Sequence, residues 1–546
     1  MGQRRPTLAS AALALVAALG CGCYPSGGRG SVPLDDQIYF PVAVALTPKS
    51  LVTGKSNWLM LANSDFDLKY NSGTIQALAL GDASSGVEQA VRLCEAEMRS
   101  SDCLADPGTP ERLRCKDKLD NLLLCSGPTQ PDGWSVPFVK ASVRIGAFAS
   151  DMKVVPLFEE PSAGTTKGQK PVDGISRVLA PVRGDATLTY VDAVESADGQ
   201  HIKLDCYAGA GNDEFGHDCD ANHRVGQVVT ADARQLTLEG EPFALATPDY
   251  WSCEALDAAG GCALEPAHSS GIASVVHQVS GDVSVFRNTQ RLGGSPVLSY
   301  TLGSLAVGAT AIAPLDLSDG VDTTSSPIVP FVPRFLVANR SQSSLFLVSY
   351  LGDDGNPDRS VLSASSLIPI TTQTTGYDTR GVVVDPPGQG EGARPIRVFL
   401  ASRSPASIVI GQIDRESGVL HFYDNVPLPI GPSRITRRSF VDDKGIAHTR
   451  IYVASYDSAY VIAYDPETRR LSDVIKAGRG PYSITIDETR QLAFVANFID
   501  GTVQVIDVNP ITTIPDPSDP AKTTKVPNIL YEQVVYTIGK PRGPQS

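Results

Sequence analysis

The sequence is poor in motifs that mark catalysis or cofactor binding. It contains no HExxH or CxxC pair for zinc, no CxxCH for covalent haem, no GxSxG nucleophile elbow and no GxxxxGKS/T phosphate loop. Its formal net charge is −14, whereas nucleic-acid binding requires a basic face. We therefore expect no catalytic residue, no metal, no cofactor and no nucleic-acid partner.

Long apolar runs are also scarce. One uncharged segment, from Leu8 to Gly20, follows Arg4 and Arg5 near the start of the chain. It is shorter than the roughly 20 residues that a permanent transmembrane helix needs. A short positive region before an apolar core of this length predicts a cleaved signal peptide over residues 1–20.

The predicted signal ends at Ala18-Leu19-Gly20-Cys21, which resembles the lipobox of bacterial lipoproteins. Leu and the small residue stand in the opposite order to that motif, while Gly20 and Cys21 fit it. The resemblance implies that Cys21 carries the lipid, and at roughly 0.8 kcal/mol per buried CH₂ several acyl chains give a firm membrane anchor. Gly22 follows in place of an Asp retention signal, which implies the outer membrane. Lipidation at Cys23 and an ordinary secretory signal are the alternatives.

Eight further cysteines lie downstream of this junction, and an even number in an exported chain predicts disulfides. Proximity favours Cys206–Cys219 and Cys253–Cys262, each closing a short loop. Sequence does not fix the pairing of the others, and an oxidising compartment disfavours a metal site.

The first four of these cysteines lie in a segment with helical character. Two short helices around a Pro-Gly-Thr-Pro turn would pair Cys94 with Cys125 and Cys103 with Cys115. We prefer this nested arrangement, and other pairings stay open. The segment predicts a small disulfide-rich helical insertion at about residues 86–126.

Pairs of short apolar strands recur along the chain. The clearest copy, Leu492–Asn497 followed by Gly501–Asp507, is preceded by a third strand ending at Asp487. Six further pairs begin at Trp58, Val178, Ser274, Phe335, Val398 and Ile451. The later copies are spaced by roughly 40 to 60 residues, which is typical of four-stranded propeller blades.

The segment Phe494-Val495-Ala496-Asn497, followed by Gly501-Thr502-Val503, resembles the YVTN-type β-propeller repeat, and Tyr452–Ser455 is a second near match. The resemblance is specific over about residues 380–510 and implies a seven-bladed propeller of the broad lactonase-like class. We therefore predict an all-β, seven-bladed β-propeller over residues 37–546, after a flexible lipidated tether at residues 21–36. Val534–Gly539 is predicted as an outermost strand that completes a blade begun near Tyr39.

Two groups of residues are candidates for sites. Arg380, Arg434 and Arg479 each precede a predicted innermost strand, and Arg542 has a similar Gly- and Pro-rich setting. Arginines gathered at a channel mouth would bind an anion, while solvated loop charges are the alternative.

The stretch His217–His223 gathers ligand-type residues that alternate as in a calcium loop. His223, however, stands where such a loop requires glycine. We interpret the stretch as a polar surface loop closed by a disulfide, without a metal.

These patterns favour a membrane-anchored lipoprotein of the cell envelope whose propeller binds a protein or a glycan. The resemblance implies the alternative, a periplasmic or surface lactonase or hydrolase that uses the central mouth. A third hypothesis is a structural scaffold that docks through the Cys-rich insertion.

Overall fold

The computed structural model describes residues 31–100, 136–158, 171–207, 215–226, 238–247, 271–288, 292–303, 305, 307–315, 334–351, 361–369, 377–386, 395–414, 419–442, 444, 446–516 and 519–542. Apart from a two-stranded hairpin within residues 511–527, these residues form seven mainly antiparallel sheets that follow one another along the chain. Each sheet is one blade of a β-propeller, so the predicted all-β, seven-bladed architecture is confirmed.

The first three blades differ in their outer edges, because blades 1 and 2 carry extra short strands. Blade 1 contains β1 (Pro41–Leu46), β2 (Trp58–Asn63), β3 (Gly73–Ala79) and β4 (Val139–Ile145). Blade 2 contains β5 (Lys153–Phe158), β6 (Pro171–Val182), β7 (Thr187–Glu195), β8 (Ile202–Asp205) and β10 (Arg224–Val225). Between β8 and β10 the chain forms β9 (His217–Asp218) and a 3₁₀ turn at Ala221–His223. Blade 3 contains β11 (Pro242–Ala246), β12 (Ile272–His277), β13 (Val283–Arg287) and β14 (Val297–Leu302). Strand β9 pairs in parallel with β4 and therefore extends blade 1.

The last four blades are built from four strands each, and blade 7 also carries a hairpin. Blade 4 contains β15 (Ala309–Leu315), β16 (Arg334–Asn339), β17 (Ser344–Leu351) and β18 (Val361–Pro369). Blade 5 contains β19 (Tyr377–Asp385), β20 (Ile396–Ser404), β21 (Ala406–Ile413) and β22 (Leu420–Pro427). Blade 6 contains β23 (Pro432–Val441), β24 (Ala447–Ser455), β25 (Tyr460–Asp465) and β26 (Arg470–Lys476). Blade 7 contains β27 (Pro481–Asp487), β28 (Leu492–Asn497), β29 (Thr502–Asp507) and β32 (Gln533–Ile538), with the hairpin β30 (Ile511–Asp516) and β31 (Asp519–Pro527) inserted before its last strand.

All seven predicted strand pairs form the second and third strands of a blade. The second strands of blades 1, 3 and 7 are buried at every residue. A strand covered on both faces by neighbouring blades needs apolar side chains in both directions, so its sequence is a continuous apolar run rather than an alternating one. This is why the repeat was visible from sequence.

The ring closes by packing of the first inner strand, β1, against the last, β27. The C-terminal segment does form an outermost strand, because β32 pairs with β29, for example Val503 with Ile538. It completes blade 7, and the prediction that it completes the blade begun near Tyr39 is wrong. The outer edge of blade 1 is already occupied, since β4 pairs with β3 and with β9.

The predicted insertion opens with one helix, α1 (Gly86–Ser100), which packs against blade 7 through Val87 and Val91. Cys94 lies half-buried on this helix. Its preferred partner Cys125 and the pair Cys103 and Cys115 lie outside the described residues, so the rest of the insertion stays a prediction.

One predicted disulfide is confirmed. Cys206 and Cys219 are bonded, with their Cα atoms 4.8 Å apart. Cys253 and Cys262 lie outside the described residues, as do the predicted signal peptide, Cys21 and Cys23. Among the helices that the structure describes, none is long and apolar enough to cross a membrane.

Candidate functional site at the upper mouth of the channel

We call the face at which the seven inner strands begin the upper face. Each inner strand starts there with a β-bulge, in which one extra residue interrupts the pairing with the second strand. Six of these bulges are register shifts, such as the one between Pro41 and Ala43. In blade 2, Ala149 pairs with Val182 and Lys153 pairs with Leu179. Between these two pairs, the inner segment has one more residue than the second strand. The bulge residues of blades 1 to 7 are Val42, Ser150, Phe243, Thr310, Arg380, Ser433 and Tyr482.

The bulge residues alternate in size around most of the ring. Blades 2, 4 and 6 place a hydroxyl there, and it donates to a backbone carbonyl at the start of the next blade. The three bonds are Ser150 Oγ to Pro242 O at 3.2 Å, Thr310 Oγ1 to Thr379 O at 2.5 Å and Ser433 Oγ to Pro481 O at 3.1 Å. Blades 3, 5 and 7 place Phe243, Arg380 and Tyr482 at the bulge. The hydroxyls join neighbouring blades, and the mouth is left to the larger side chains.

Arg434, in the strand after one of these bulges, spans the channel. Its guanidinium donates to the carbonyl of Ser150 at 3.2 Å and lies 3.6 Å from the carboxylate of Asp151 on the opposite side of the ring. It also lies over the rings of Phe243 and Tyr482, at 5.9 and 5.6 Å. Burial opposes its charge, but Asp151 and Tyr482 raise the pKa of Arg434 overall. The upper end of the channel is thus filled by a cation whose charge is balanced within the protein.

Six aromatic rings from blades 6, 7, 1 and 2 meet beside this arginine, and we call them the mouth cluster. They are Phe40, Phe66, Phe148, Tyr456, Tyr482 and Phe498. Phe498 is the hub, with ring centroids at 5.1 Å to Phe40 and 5.4 Å to Phe66. These separations lie in the range in which aromatic pairs attract one another. Phe40 and Phe498 are buried, whereas Phe66 is 56% exposed and lies at the surface of the cluster.

The mouth cluster arises from the turns that end the second strands. Tyr456 and Phe498 each directly follow the last residue of a second strand, and Phe66 lies in the corresponding loop of blade 1. Since β2 ends opposite the start of β1, these turns reach the upper face. The aromatic residues just after the repeat motif could have indicated this cluster from sequence, but they were not among the predicted site residues.

The asparagine of the repeat motif has a structural role. In blade 1, Asn63 is buried, accepts the N–H of Tyr39 at 3.2 Å and donates to Thr74 and Gln76 at 3.0 and 2.9 Å. In blade 7, Asn497 donates to Thr502 at 3.2 Å. The side chain therefore connects the end of the second strand to the third strand.

A histidine takes this position in blade 3. His277 is buried, with Nε2 2.9 Å from Ser284 Oγ and Nδ1 3.2 Å from the carbonyl of Gly240. Burial lowers the pKa of His277 and favours its neutral form. It therefore replaces the motif asparagine and does not face the mouth as an acid or base.

The four arginines singled out from sequence have different partners. Arg380 lies 2.6 Å from Asp378, and Arg479 lies 2.5 Å from Asp500. Arg479 also donates to the carbonyl of Arg542, so these two are neighbours. Because Arg434 has Asp151 beside it, three of the four are already partly neutralised by carboxylates.

Arg542 differs from the other three arginines. Its guanidinium stacks 4.3 Å from the ring centre of Phe40, and no ion pair joins it to a carboxylate within the described part of the chain. Burial lowers its pKa, against the opposing effect of Asp67. The prediction of an anion at the mouth therefore depends on Arg542, and it stays a prediction.

Asp65 is the one fully buried carboxyl group found in the loop that carries Phe66. Its Oδ1 accepts the N–H of Tyr70 at 3.0 Å, and its Oδ2 has no hydrogen-bond partner among the described residues. Burial, with a smaller contribution from Asp67, raises the pKa of Asp65 to about 6. No sequence motif marks this residue, because its environment depends on how the loop folds over it.

The loop from His217 to His223 lies at the outer edge of blades 1 and 2, away from the mouth. Asp218 forms an ion pair with Arg144 at 2.7 Å. Asp220 accepts the N–H groups of Asn222 and His223 and lies 2.8 Å from the His223 ring. The two carboxylates thus have separate partners in a loop that is closed by the disulfide.

Comparisons with known proteins find only a distant structural likeness. No protein-family model matches the chain, and no curated protein is similar in sequence. Three solved structures share a distant likeness at 9–12% identity. A functionally unknown protein from Desulfotomaculum acetoxidans gives a TM-score of 0.39 at 12% identity, over 74% of this chain and 93% of that one. Hydrazine synthase from Kuenenia stuttgartiensis gives 0.39 at 9% identity, over 89% and 99%. A "putative 6-phosphogluconolactonase" from Bacteroides uniformis gives 0.37 at 11% identity, over 71% and 98%.

Proposed function

We propose that this chain is a lipid-anchored binding protein of the cell envelope, whose upper face takes an apolar segment of a partner protein. The observation that carries the proposal is the exposed ring of Phe66 on a base of buried aromatic rings. Leu68, 49% exposed, and Ile499, 37% exposed, lie on the two turns that supply Phe66 and Phe498. Exposed apolar residues grouped in this way are typical of protein–protein contacts.

The base makes Phe66 suited to act as an anchor. Its ring contacts Phe40, Phe148 and Phe498 at centroid distances between 5.4 and 6.3 Å. An aromatic side chain that is already held in place loses little conformational freedom when a partner covers it. Aromatic anchors of this kind carry much of the binding energy of protein interfaces.

Lys69 and Arg542 contribute positive charge beside the apolar surface. Lys69 is exposed in the same loop as Phe66, and Arg542 lies over Phe40. We expect the partner to present an apolar side chain flanked by acidic residues. The anion site predicted from sequence would then serve a carboxylate of that partner.

The membrane anchor is part of the proposal. Cys21 would hold the propeller at the outer membrane through a flexible tether. Metabolic labelling with a fatty acid should mark the wild type and leave Cys21→Ser unmarked. Equal labelling of both proteins would contradict the anchor.

The binding proposal is tested by two matched variants. Phe66→Ala removes the exposed ring at the upper face, and Val52→Ala removes an 86% exposed side chain from the lower-face turn of the same blade. In affinity purifications from native envelopes, we expect one protein to be recovered with wild type and with Val52→Ala. Its recovery should fall at least tenfold with Phe66→Ala. Equal recovery with both variants would overturn the proposal.

A lactonase is the second candidate, and Asp65 is the observation that favours it. A carboxyl group with a pKa of about 6 is suited to proton transfer near neutral pH. Against this reading, the Asp65 side chain is fully buried and does not face a substrate in the mouth. We expect no turnover of a panel of sugar lactones, whereas hydrolysis abolished by Asp65→Asn would establish this candidate instead.

A further inference from the structure

A small cavity lies between blades 5 and 6, separate from the mouth. It has a volume of about 180 Å³ and is lined mainly by Phe399, Tyr423 and Asp424 of blade 5 and by Tyr464 and Arg469 of blade 6. It is smaller than the cavities of roughly 300–1,000 Å³ that hold drug-sized ligands.

A buried hydroxyl in the cavity wall lacks a partner. The Tyr464 side chain is fully buried, and its hydroxyl makes no hydrogen bond within the described part of the protein. Such groups are normally paired, because an unpaired buried polar atom costs about 1–3 kcal/mol. An unpaired hydroxyl in a cavity wall therefore indicates a ligand that supplies the missing bond.

The charged groups of the cavity stand at its rim and are not paired with each other. Arg469 is exposed and Asp424 is half-buried. Asp424 accepts the N–H of Asn425 at 2.8 Å, and among the described residues no ion pair joins it to Arg469 or to another cation. Arg397, in contrast, is engaged by Asp385 at 2.7 Å and by Glu467 at 3.0 Å. Among the described residues, the rim thus offers one carboxylate and one guanidinium that are not engaged in ion pairs.

The inner wall is largely aromatic, and its one partly buried cation, Arg397, is already balanced by Asp385 and Glu467. Phe399 and Tyr464 meet edge to face at 6.4 Å, and Tyr423 adds a ring that is 46% exposed. Burial, with Asp424 acting in the same direction, raises the pKa of Tyr464 to about 12, so its hydroxyl stays protonated. A charged ligand group placed against this wall would lose its hydration without an opposite charge to replace it.

We infer that this cavity binds a single neutral pyranose ring, either a monosaccharide or one residue of a glycan. Adjacent sugar hydroxyls both donate and accept, so they suit Asp424, Arg469 and the Tyr464 hydroxyl together. The C–H face of the ring would pack on Tyr423. This site goes beyond the proposed protein-binding face and does not depend on it.

The test measures binding of the methyl pyranosides of glucose, galactose, mannose and N-acetylglucosamine to the full chain, by saturation-transfer NMR and calorimetry. We expect at least one to bind, and Tyr464→Phe to weaken that binding roughly three- to tenfold. Because the hydroxyl has no partner among the described residues, Tyr464→Phe should keep or raise the melting temperature of the unliganded protein. Tyr460→Phe, on the same strand outside the cavity, is the matched control and should bind as wild type.

Each alternative result is decisive. Absence of binding for all four sugars, equal binding by Tyr464→Phe, or binding of free amino acids in their place would overturn the inference. Phe66→Ala should not alter sugar binding. A failure of the mouth proposal and a failure of the cavity proposal are therefore distinguishable.

Discussion

The junctions between blades 7 and 1 and between blades 2 and 3 each contain one buried arginine, and the two arginines are partnered differently. Arg490 lies 2.7 Å from Glu88 on α1 and 2.7 Å from Asp487 on β27, and it donates to the carbonyl of Ser56. Its partners are separated by some 400 positions along the chain. Arg490 therefore joins the last blade to the first blade and to the helix.

Arg177 has a more local arrangement. It forms two hydrogen bonds to Asp192 on the adjacent strand of its own blade, at 2.6 and 2.8 Å. Toward blade 3, it donates a hydrogen bond to Asn288 at 2.9 Å. One junction thus holds two buried carboxylates beside Arg490, one of which, Glu88, also lies within 4 Å of Lys55 and Arg92. Among the described residues, Arg177 has one carboxylate and a neutral amide beside it.

The difference shows how this ring is closed. Because β32 completes blade 7 and blade 1 is complete on its own, no described strand is shared between the two ends of the chain. The closing junction depends on apolar packing and on Arg490, whereas blades 2 and 3 are consecutive in the chain.

The largest expected effect comes from removing the two arginines in turn. Breaking a buried ion pair costs about 3–5 kcal/mol, because the charge left behind is uncompensated. Arg490→Ala leaves Asp487 without a cation and leaves Glu88 with only its longer contacts to Lys55 and Arg92, so it should lie at the upper end of that range. Arg177→Ala leaves one buried carboxylate and should lie at the lower end. Urea denaturation of both variants provides the comparison, and a greater loss for Arg177→Ala would contradict this account of the closing junction.

The next largest effect concerns the disulfide beside blade 2. Cys206 and Cys219 are 13 residues apart, and a loop of this size is expected to contribute about 3 kcal/mol. The double variant Cys206→Ser with Cys219→Ser should lower the free energy of unfolding by that amount under oxidising conditions. A loss below about 1 kcal/mol would mean that the early blades are held by packing alone.

Asp65, in blade 1, provides a third test, which depends on pH. Its pKa in the folded protein, about 6, lies above the ordinary value of 3.8, so the folded state binds the proton more tightly. Wild-type stability should therefore decrease as the pH rises from about 4 through 6. Asp65→Asn keeps an acceptor for the Tyr70 amide and should be more stable than wild type at pH 8, by up to about 3 kcal/mol.

The advantage of Asp65→Asn should vanish near pH 4, where the wild-type carboxyl is protonated. Asp67→Asn, at an exposed position in the same loop, is the control and should change little. An Asp65→Asn variant that is less stable at pH 8 would show that the buried carboxylate has a partner, and would weaken the lactonase alternative further.

The smallest effect is expected in blade 3, with the opposite pH response. Burial lowers the pKa of His277 below its ordinary 6.5, so its contribution to stability is lost as the pH falls. His277→Asn restores the motif residue and should change the free energy of unfolding at pH 8 by about 1 kcal/mol or less. Between pH 8 and pH 5, the melting temperature of this variant should fall less steeply than that of wild type. An equally steep fall in both proteins would mean that other groups cause the loss of stability at low pH.

Sequence revealed the parts of the fold that repeat locally. The second strands were predicted because burial on both faces makes runs such as Leu492–Asn497 continuously apolar. Cys206–Cys219 was predicted because the two residues are close in sequence. The blade to which Gln533–Ile538 belongs was not predicted correctly, because the sequence of an outer strand does not indicate which strand it pairs with.

The mouth could not be predicted in the same way. Phe40 and Phe498 touch although more than 450 positions separate them in the sequence, and nothing local marks either residue. Arg434, one of the arginines singled out from sequence, lies at the upper face. The pairing of three of the four arginines with Asp151, Asp378 and Asp500 depends on how the turns fold. Sequence alone therefore could not show whether the four arginines lie together.

The central claim is that the upper face binds a partner through Phe66. The most direct measurement places a photoreactive phenylalanine analogue at position 66 or at position 52 in the full-length protein and irradiates intact cells. We predict a discrete crosslinked product from position 66, containing one identifiable envelope protein, and none from position 52. Crosslinking from position 52 alone, or the same products from both positions, would contradict the claim.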